Sequence, residues 1–155
     1  MLAIPSNWMV RVSDFVLLAG RLLLALIFLH EGFALALHFD GTVQAMAQLG
    51  IGTPLVIATI ALQIVAGLSV GLGFSTRLGA VALGLFCVAT AALFHTNFAN
   101  HNELLHFEKD LAIAGGMFTL AIAGAGRFSL DMLVPHGLMG RMRVSTLPSP
   151  REPGR

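Results

Sequence analysis

Charge is scarce in this chain: of 155 residues, 11% are charged and 56% hydrophobic, where soluble domains carry roughly 25% charged residues. A water-facing surface cannot be assembled from so few charges, so most of the surface must face lipid. The formal net charge of +1 excludes a nucleic-acid binder that works through bulk charge. Cysteine is nearly absent too. Cys87 stands alone, inside an apolar run, which excludes an intrachain disulfide, a dithiol relay to quinone and a four-cysteine metal site. No A-x-A-like cleavage site occurs in the first twelve residues, and the apolar run that follows holds Arg21, His30 and Glu31. A signal-peptide core would not tolerate those groups, so this run is expected to be a retained helix.

What remains predicts an all-α integral membrane four-helix bundle. A spanning helix needs roughly 20 mostly apolar residues, and four segments qualify: about 15–37, 54–73, 78–94 and 104–124. Ser13 is the expected N-cap of the first, and Thr53 of the second, with Pro54 at its first helical position. The fourth is the least apolar, because Glu108, Lys109 and Asp110 fall near one membrane boundary. A short interfacial helix is expected over 43–49, between the first two spans. Residues 1–13 form an N-terminal segment. From Pro135 onward the chain is rich in Pro, Ser and Arg, so 132–155 reads as a disordered basic tail able to touch anionic lipid.

Basic residues set the orientation. Under a four-helix arrangement eight arginines, Arg11, Arg21, Arg77, Arg127, Arg141, Arg143, Arg151 and Arg155, share one side, and Lys109 lies on the other. That bias places both termini in the cytoplasm. It also concentrates polar groups in the outer half: His30, His38, His95, His101, His106, Glu31, Asp40, Glu103, Glu108 and Asp110. The inner half has mainly Arg21, close enough to the interface to snorkel, with Asp14 as its expected partner.

Ionisable groups within a membrane usually face the bundle interior and are functional candidates. Helical phase puts Glu31 on the face of Gly20, Leu24, Phe28 and His38. Gln63 lies one turn from Gly67, which opens a Gly67–Gly71 GxxxG spacing that permits close helix approach. His95 shares a face with Gly84, Val88 and Ala91; Lys109 lies seven residues from Gly116, and Glu108 seven from Gly115. Each helix thus offers a polar group on a glycine stripe, and all four could converge in the outer half. The alternative is purely structural, a pair such as Glu31–Lys109 fixing helix register.

Other signals are weaker. His30 and His95 could approach a haem iron, but no histidine spacing is diagnostic. His95, His101, Glu103 and His106 recur at loop-like intervals unlike a zinc signature. Gly71-Leu72-Gly73 follows no strand, so no dinucleotide fold is implied. Ser69 and Thr119 lack acid–base partners for a hydrolytic triad. No haem, flavin or metal is implied.

Three stretches together resemble the DoxX family of small four-helix membrane proteins, over roughly Val16 to Asp131. The first is Gly20-Arg21 with Phe28 and His30-Glu31-Gly32. The second is Gln63 with Gly67-Leu68, then Gly71-Leu72-Gly73 and Thr76-Arg77. The third is Lys109-Asp110-Leu111-Ala112, Gly115-Gly116, then Gly124, Gly126 and Ser129-Leu130-Asp131. His95 also matches a family histidine. Gln63 departs from the acid often found in the second helix, and Asp110 from the usual Asn. The resemblance implies a bacterial inner-membrane protein associated with quinone-linked redox complexes. Site chemistry and resemblance together then predict a membrane subunit of a quinone-linked oxidoreductase system. Quinone is the candidate ligand, held by Gln63, His95, Lys109 and Glu108. Glu31 and His30 would exchange protons, since a histidine and a desolvated carboxylate can titrate near neutral pH. Electrons would come from a soluble redox or sulfur-transfer partner; self-association is left open. The alternative function is a non-catalytic membrane scaffold or assembly partner for a soluble enzyme.

Overall fold

The structure, a computed structural model of the chain, describes residues 7–132, with side chains from Val12 onward. Among these residues all regular structure is helical: α1 (Asn7–Leu37), α2 (Phe39–Gln48), α3 (Thr53–Leu72), α4 (Thr76–Phe94) and α5 (His101–Ala123), then a 3-10 turn at Leu130–Met132. The basic tail expected to be disordered lies outside the described residues.

Three segments are long and apolar enough to cross a membrane: Val12–Leu37, Thr53–Leu72 and Thr76–Phe94, with mean hydropathies of 2.2, 2.3 and 1.9. α5 has the length, 23 residues, but Glu103, Glu108, Lys109 and Asp110 crowd its first half. On length and composition it does not join the other three.

Several helix ends differ from the sequence expectation. α1 begins at Asn7, so Ser13 lies within it and is not its cap. Gly52, not Thr53, is the N-cap of α3, and Pro54 sits in its first turn. Gly73 ends α3 in the left-handed region at φ 76°, a conformation open to glycine because it has no Cβ. α5 starts at His101, capped by the Asn100 side chain, which accepts from the Asn102 amide.

α1 lies along α3, α4 along α5, and α3 joins the two pairs through α4, while α1 and α5 touch little. Lipid gives helices no hydrophobic reason to associate, so close packing of small residues has to hold them. The glycines show where this happens. A Cβ on Gly67 would lie 3.0 Å from Leu29 Cδ2, one on Gly71 3.4 Å from Ala25, and one on Gly84 2.7 Å from Phe118. The GxxxG spacing is thus the α1–α3 seam. Ala25, Phe28, Val70, Leu83, Cys87 and Met117 form the core between the helices. Outward-facing side chains are apolar: Leu23, Leu78 and Ile122 are 70%, 76% and 81% exposed. Such a surface is stable only against lipid.

Arg21 does not snorkel. It is 2% exposed, and its Nη1 and Nη2 donate to the carbonyls of Ala125 and Phe128 at 2.5 and 2.7 Å. Asp14 instead meets Arg127, at 3.9 Å. The segment after α5 is long enough to fold back under α1, so Arg21 finds carbonyls there and need not reach for headgroups. That segment also reaches the α3–α4 turn. Asp131 accepts from the Ser75 and Thr76 amides at 2.8 and 3.4 Å, and its own amide donates to Gly73 O at 2.9 Å. The free amides at the start of α4 are therefore capped by a carboxylate from beyond α5.

Candidate functional site

At the other end the helices border a half-open cavity of about 770 Å³, to whose lining all five helices contribute. Its walls are mostly apolar: Phe28 and Leu35 from α1, Met46 from α2, Leu62 from α3, Phe86 from α4 and Ile113 from α5. Its polar side chains are Glu31, Gln63, Thr90, His95, His106, Lys109 and Asp110, with Thr42 and Thr59. An apolar cavity with few convergent polar groups, in the range of roughly 300–1,000 Å³, is the common form of a small-ligand site.

Of the six candidate residues, Glu31, Gln63, His95 and Lys109 line this cavity, while His30 and Glu108 do not. The His30 and Glu31 side chains are 75% and 60% exposed and 3.7 Å apart, so Glu31 stands at the rim and His30 faces away. The glycines of α5 explain the split between Lys109 and Glu108. Gly116, in phase with Lys109, lies against Leu24, whereas Gly115, in phase with Glu108, meets nothing within 4 Å. Only the Lys109 stripe faces the bundle. Lys109 pairs with no carboxylate among the described residues; its Nζ lies 3.3 Å from His106 Nδ1. His30 and His95 do not share the cavity, so the haem pairing considered above is not assembled.

Thr90, His106 and Asp110, which line the cavity, and Glu103 beside them were not among the candidates. His95 Nδ1 lies 2.8 Å from Glu103 Oε2, and its Nε2 lies 4.0 Å from Asp110 Oδ2. The His106 ring stacks on His95 with centroids 5.1 Å apart. Thr90 Oγ1 is 3.0 Å from Asp110 Oδ2. Glu103, His106 and Asp110 fall at i, i+3 and i+7 of α5, one helical face. The start of α5 at His101, three residues before the expected 104, is what brings Glu103 onto that face with His106 and Asp110. The Asn100 cap followed by Glu103 was the available sign of an earlier start.

Gln63 is the most buried polar group of the cavity, 5% exposed. Its Oε1 has no hydrogen-bond partner among the described residues. It sits at a close approach of α1 to α3: a Cβ on Gly32 would lie 2.9 Å from Ile64 Cγ1 and 3.1 Å from Gln63 Cβ. The close approach at Gly32 fixes the Gln63 backbone beside the cavity. Among the described residues no three His, Cys, Asp or Glu side chains are arranged to hold a metal ion.

Fold and surface define a multi-pass helical protein of the cell membrane. The DoxX family model matches residues 16–96, and the chain belongs to that family. It is 36% identical over 126 residues to inner membrane protein YqjF of Escherichia coli K12, covering 81% of this chain and 97% of that protein. It is 39% identical over 123 residues to inner membrane protein YphA of the same organism, covering 75% and 88% respectively. No solved structure matches the chain.

Proposed function

We propose that the chain is a membrane subunit of a quinone-linked redox system whose cavity holds the ring of a membrane quinone. In this reading α5 crosses as a fourth span, supported from below by the Arg21 contacts and bearing its polar half at the outer side. Both termini are then cytoplasmic. The clustering of Arg21, Arg77 and Arg127 at one end, with Lys109 at the other, supports that orientation: Arg77 Nε would lie 3.4 Å from a Cβ on Gly124 and Arg21 Nη1 2.7 Å from one on Gly73.

The observation that carries the reading is the apolar cavity of about 770 Å³ with only a few polar side chains in its lining, Gln63, His95, Lys109 and Asp110 among them. Apolar walls with a few placed polar groups suit a ligand with a ring and an apolar tail. The residues fit such a ligand: Gln63 and Lys109 would hold the ring oxygens, the aromatic and aliphatic walls its faces and tail. Glu31, His95 and Asp110 would hold or pass protons. When bound, a quinone supplies reversible two-electron, two-proton chemistry, with electrons exchanged through a soluble partner.

The test is solvent extraction of the full chain purified in mild detergent, with prenyl quinones counted per mole of protein. Wild type is compared with Gln63→Leu and with Thr59→Trp, which fills the cavity. Near-stoichiometric quinone in wild type, mostly lost in both variants while circular dichroism stays helical, is the expected result. No enrichment over bulk lipid in folded wild-type protein would sink the proposal and leave the polar cluster as helix pairing.

A further inference from the structure

The half-open cavity is bordered by exposed residues of two kinds, which stand on different helices. Those on α3 and α4 are Leu55, Ala58, Ala89, Leu93 and Phe94, all apolar. Those on α1 and α5 are Glu31, His106 and Lys109, all polar. The α3 lining lies within 55–63 and the α4 lining within 86–94, in each case the half of the helix away from the Gly73 turn. Near that turn the two helices touch closely: a Cβ on Gly79 would lie 3.1 Å from Ser69 Oγ and 3.2 Å from Ala66 O. Farther along, the cavity takes the place of that contact. Leu55 and Leu93, one on each wall, are 58% and 72% exposed. Both helices have the length and hydropathy of a span, so a cleft between their far ends faces hydrocarbon.

We infer that the ligand lies across the bundle, with its ring toward α1 and α5 and its alkyl or prenyl tail in the cleft between α3 and α4. Through that cleft it enters sideways from the bilayer. This rests on the quinone-site reading above and adds the path and the seat of the tail. A tail leaving between α3 and α4 passes exposed apolar side chains and joins the surrounding acyl chains. Leaving between α1 and α5 would take it past Glu31 and Lys109, and charged groups at a membrane keep water about them. The same division orients the ring. The charged side chains of the lining, Glu31, Lys109 and Asp110, all lie on α1 and α5, with His106 beside Lys109 and His95 just beyond the end of α4.

The experiment is photolabelling of the full chain in phosphatidylcholine nanodiscs. The probe is a ubiquinone whose decyl tail carries a diazirine at its far end, with excess decylubiquinone as competitor. Adducts are mapped by peptide mass spectrometry. Labelling that the competitor suppresses is expected on 55–58 and 89–94. Ala58→Trp and Ala89→Trp, one on each wall of the cleft, should each lose most of it while circular dichroism stays helical. Undiminished labelling in those folded variants would overturn the inference. So would competitor-suppressed adducts on α1 and α5 in place of the cleft, or cleft adducts that decylubiquinone does not suppress, which would mean that ordinary lipid fills it. Solvent extraction of the same nanodiscs separates the two readings. Quinone retained by the protein, with no suppressed adduct in the cleft, would leave the quinone site standing without this path. No retained quinone would end both.

Discussion

Arg21 and Gln63 are both buried polar side chains, 2% and 5% exposed, on helices that pack together, yet their surroundings are opposite. Around Arg21 the backbone closes in: Gly73, at φ 76°, leaves no room for a Cβ, which would lie 2.7 Å from Nη1. Two carbonyls take both terminal nitrogens of the guanidinium, leaving only its Nε without a partner among the described residues, and Asp131 ties the same segment to the start of α4. Gln63 lines a cavity, and its buried Oε1 has no hydrogen-bond partner among the described residues. A buried polar group held by neighbouring backbone strengthens the fold. One held beside a cavity weakens it unless something enters. The distinction lies in the room beside the group, which neither its charge nor its burial reveals.

Breaking the closed end should have the largest effect. Arg21→Met strands the Ala125 and Phe128 carbonyls and frees the segment after α5 from α1. With hydrogen bonds to charged groups contributing roughly 1.5–3 kcal/mol each, a loss of about 3 kcal/mol is expected, read as a lower unfolding midpoint in detergent. A loss below about 1 kcal/mol would show that water or lipid replaces the guanidinium. Gly73→Ala comes next. It forces a side chain into the left-handed region and within 2.6 Å of Ser129 Cβ, for a loss of about 2 kcal/mol. Gly115→Ala is its counterpart: nothing lies within 4 Å of the added methyl, so a gain of about 0.5 kcal/mol is expected. Asp131→Ala removes the cap on Ser75 and Thr76 and the carboxylate whose charge acts on Arg21, for about 1 kcal/mol by the same melting measurement.

The two ends also differ in how far the chain's own pattern reveals them. Apolar runs and the positions of Pro54 and Gly73 locate α1, α3 and α4 closely, because lipid demands long apolar helices and the local breakers end them. The polar stripes of Gln63, His95 and Lys109 are readable from helical phase, since glycine marks the faces where helices meet. Phase alone does not say which of Gly115 and Gly116 is packed; that depends on Leu24, a residue of α1. The clasp around Arg21 is not legible at all, because its acceptors are backbone carbonyls and every residue has one. Asp131 capping α4 from beyond α5 is equally invisible to local pattern. Glu103 is hidden for a smaller reason: it joins the stripe of His106 and Asp110 once the start of α5 is set by Asn100 and not by the first leucine pair.

The sharpest use of the comparison is also the smallest change in stability. Gln63→Leu keeps nearly the same volume and removes the buried amide whose oxygen has no partner. If that amide belonged to the fold, as Arg21 does, its loss would lower the unfolding midpoint. If it belongs to a ligand, the ligand-free variant should melt at the wild-type temperature or slightly above it. Relief of an unpaired acceptor offsets whatever the amide nitrogen contributes, and the net change should stay within about 1 kcal/mol. Bound ligand stabilises wild type by mass action, so the measurement is made on protein stripped of lipid-soluble material and again after decylubiquinone is restored. Wild type should gain stability with the probe and Gln63→Leu should not. A variant that melts well below stripped wild type would place Gln63 with Arg21, among the residues that hold the helices together.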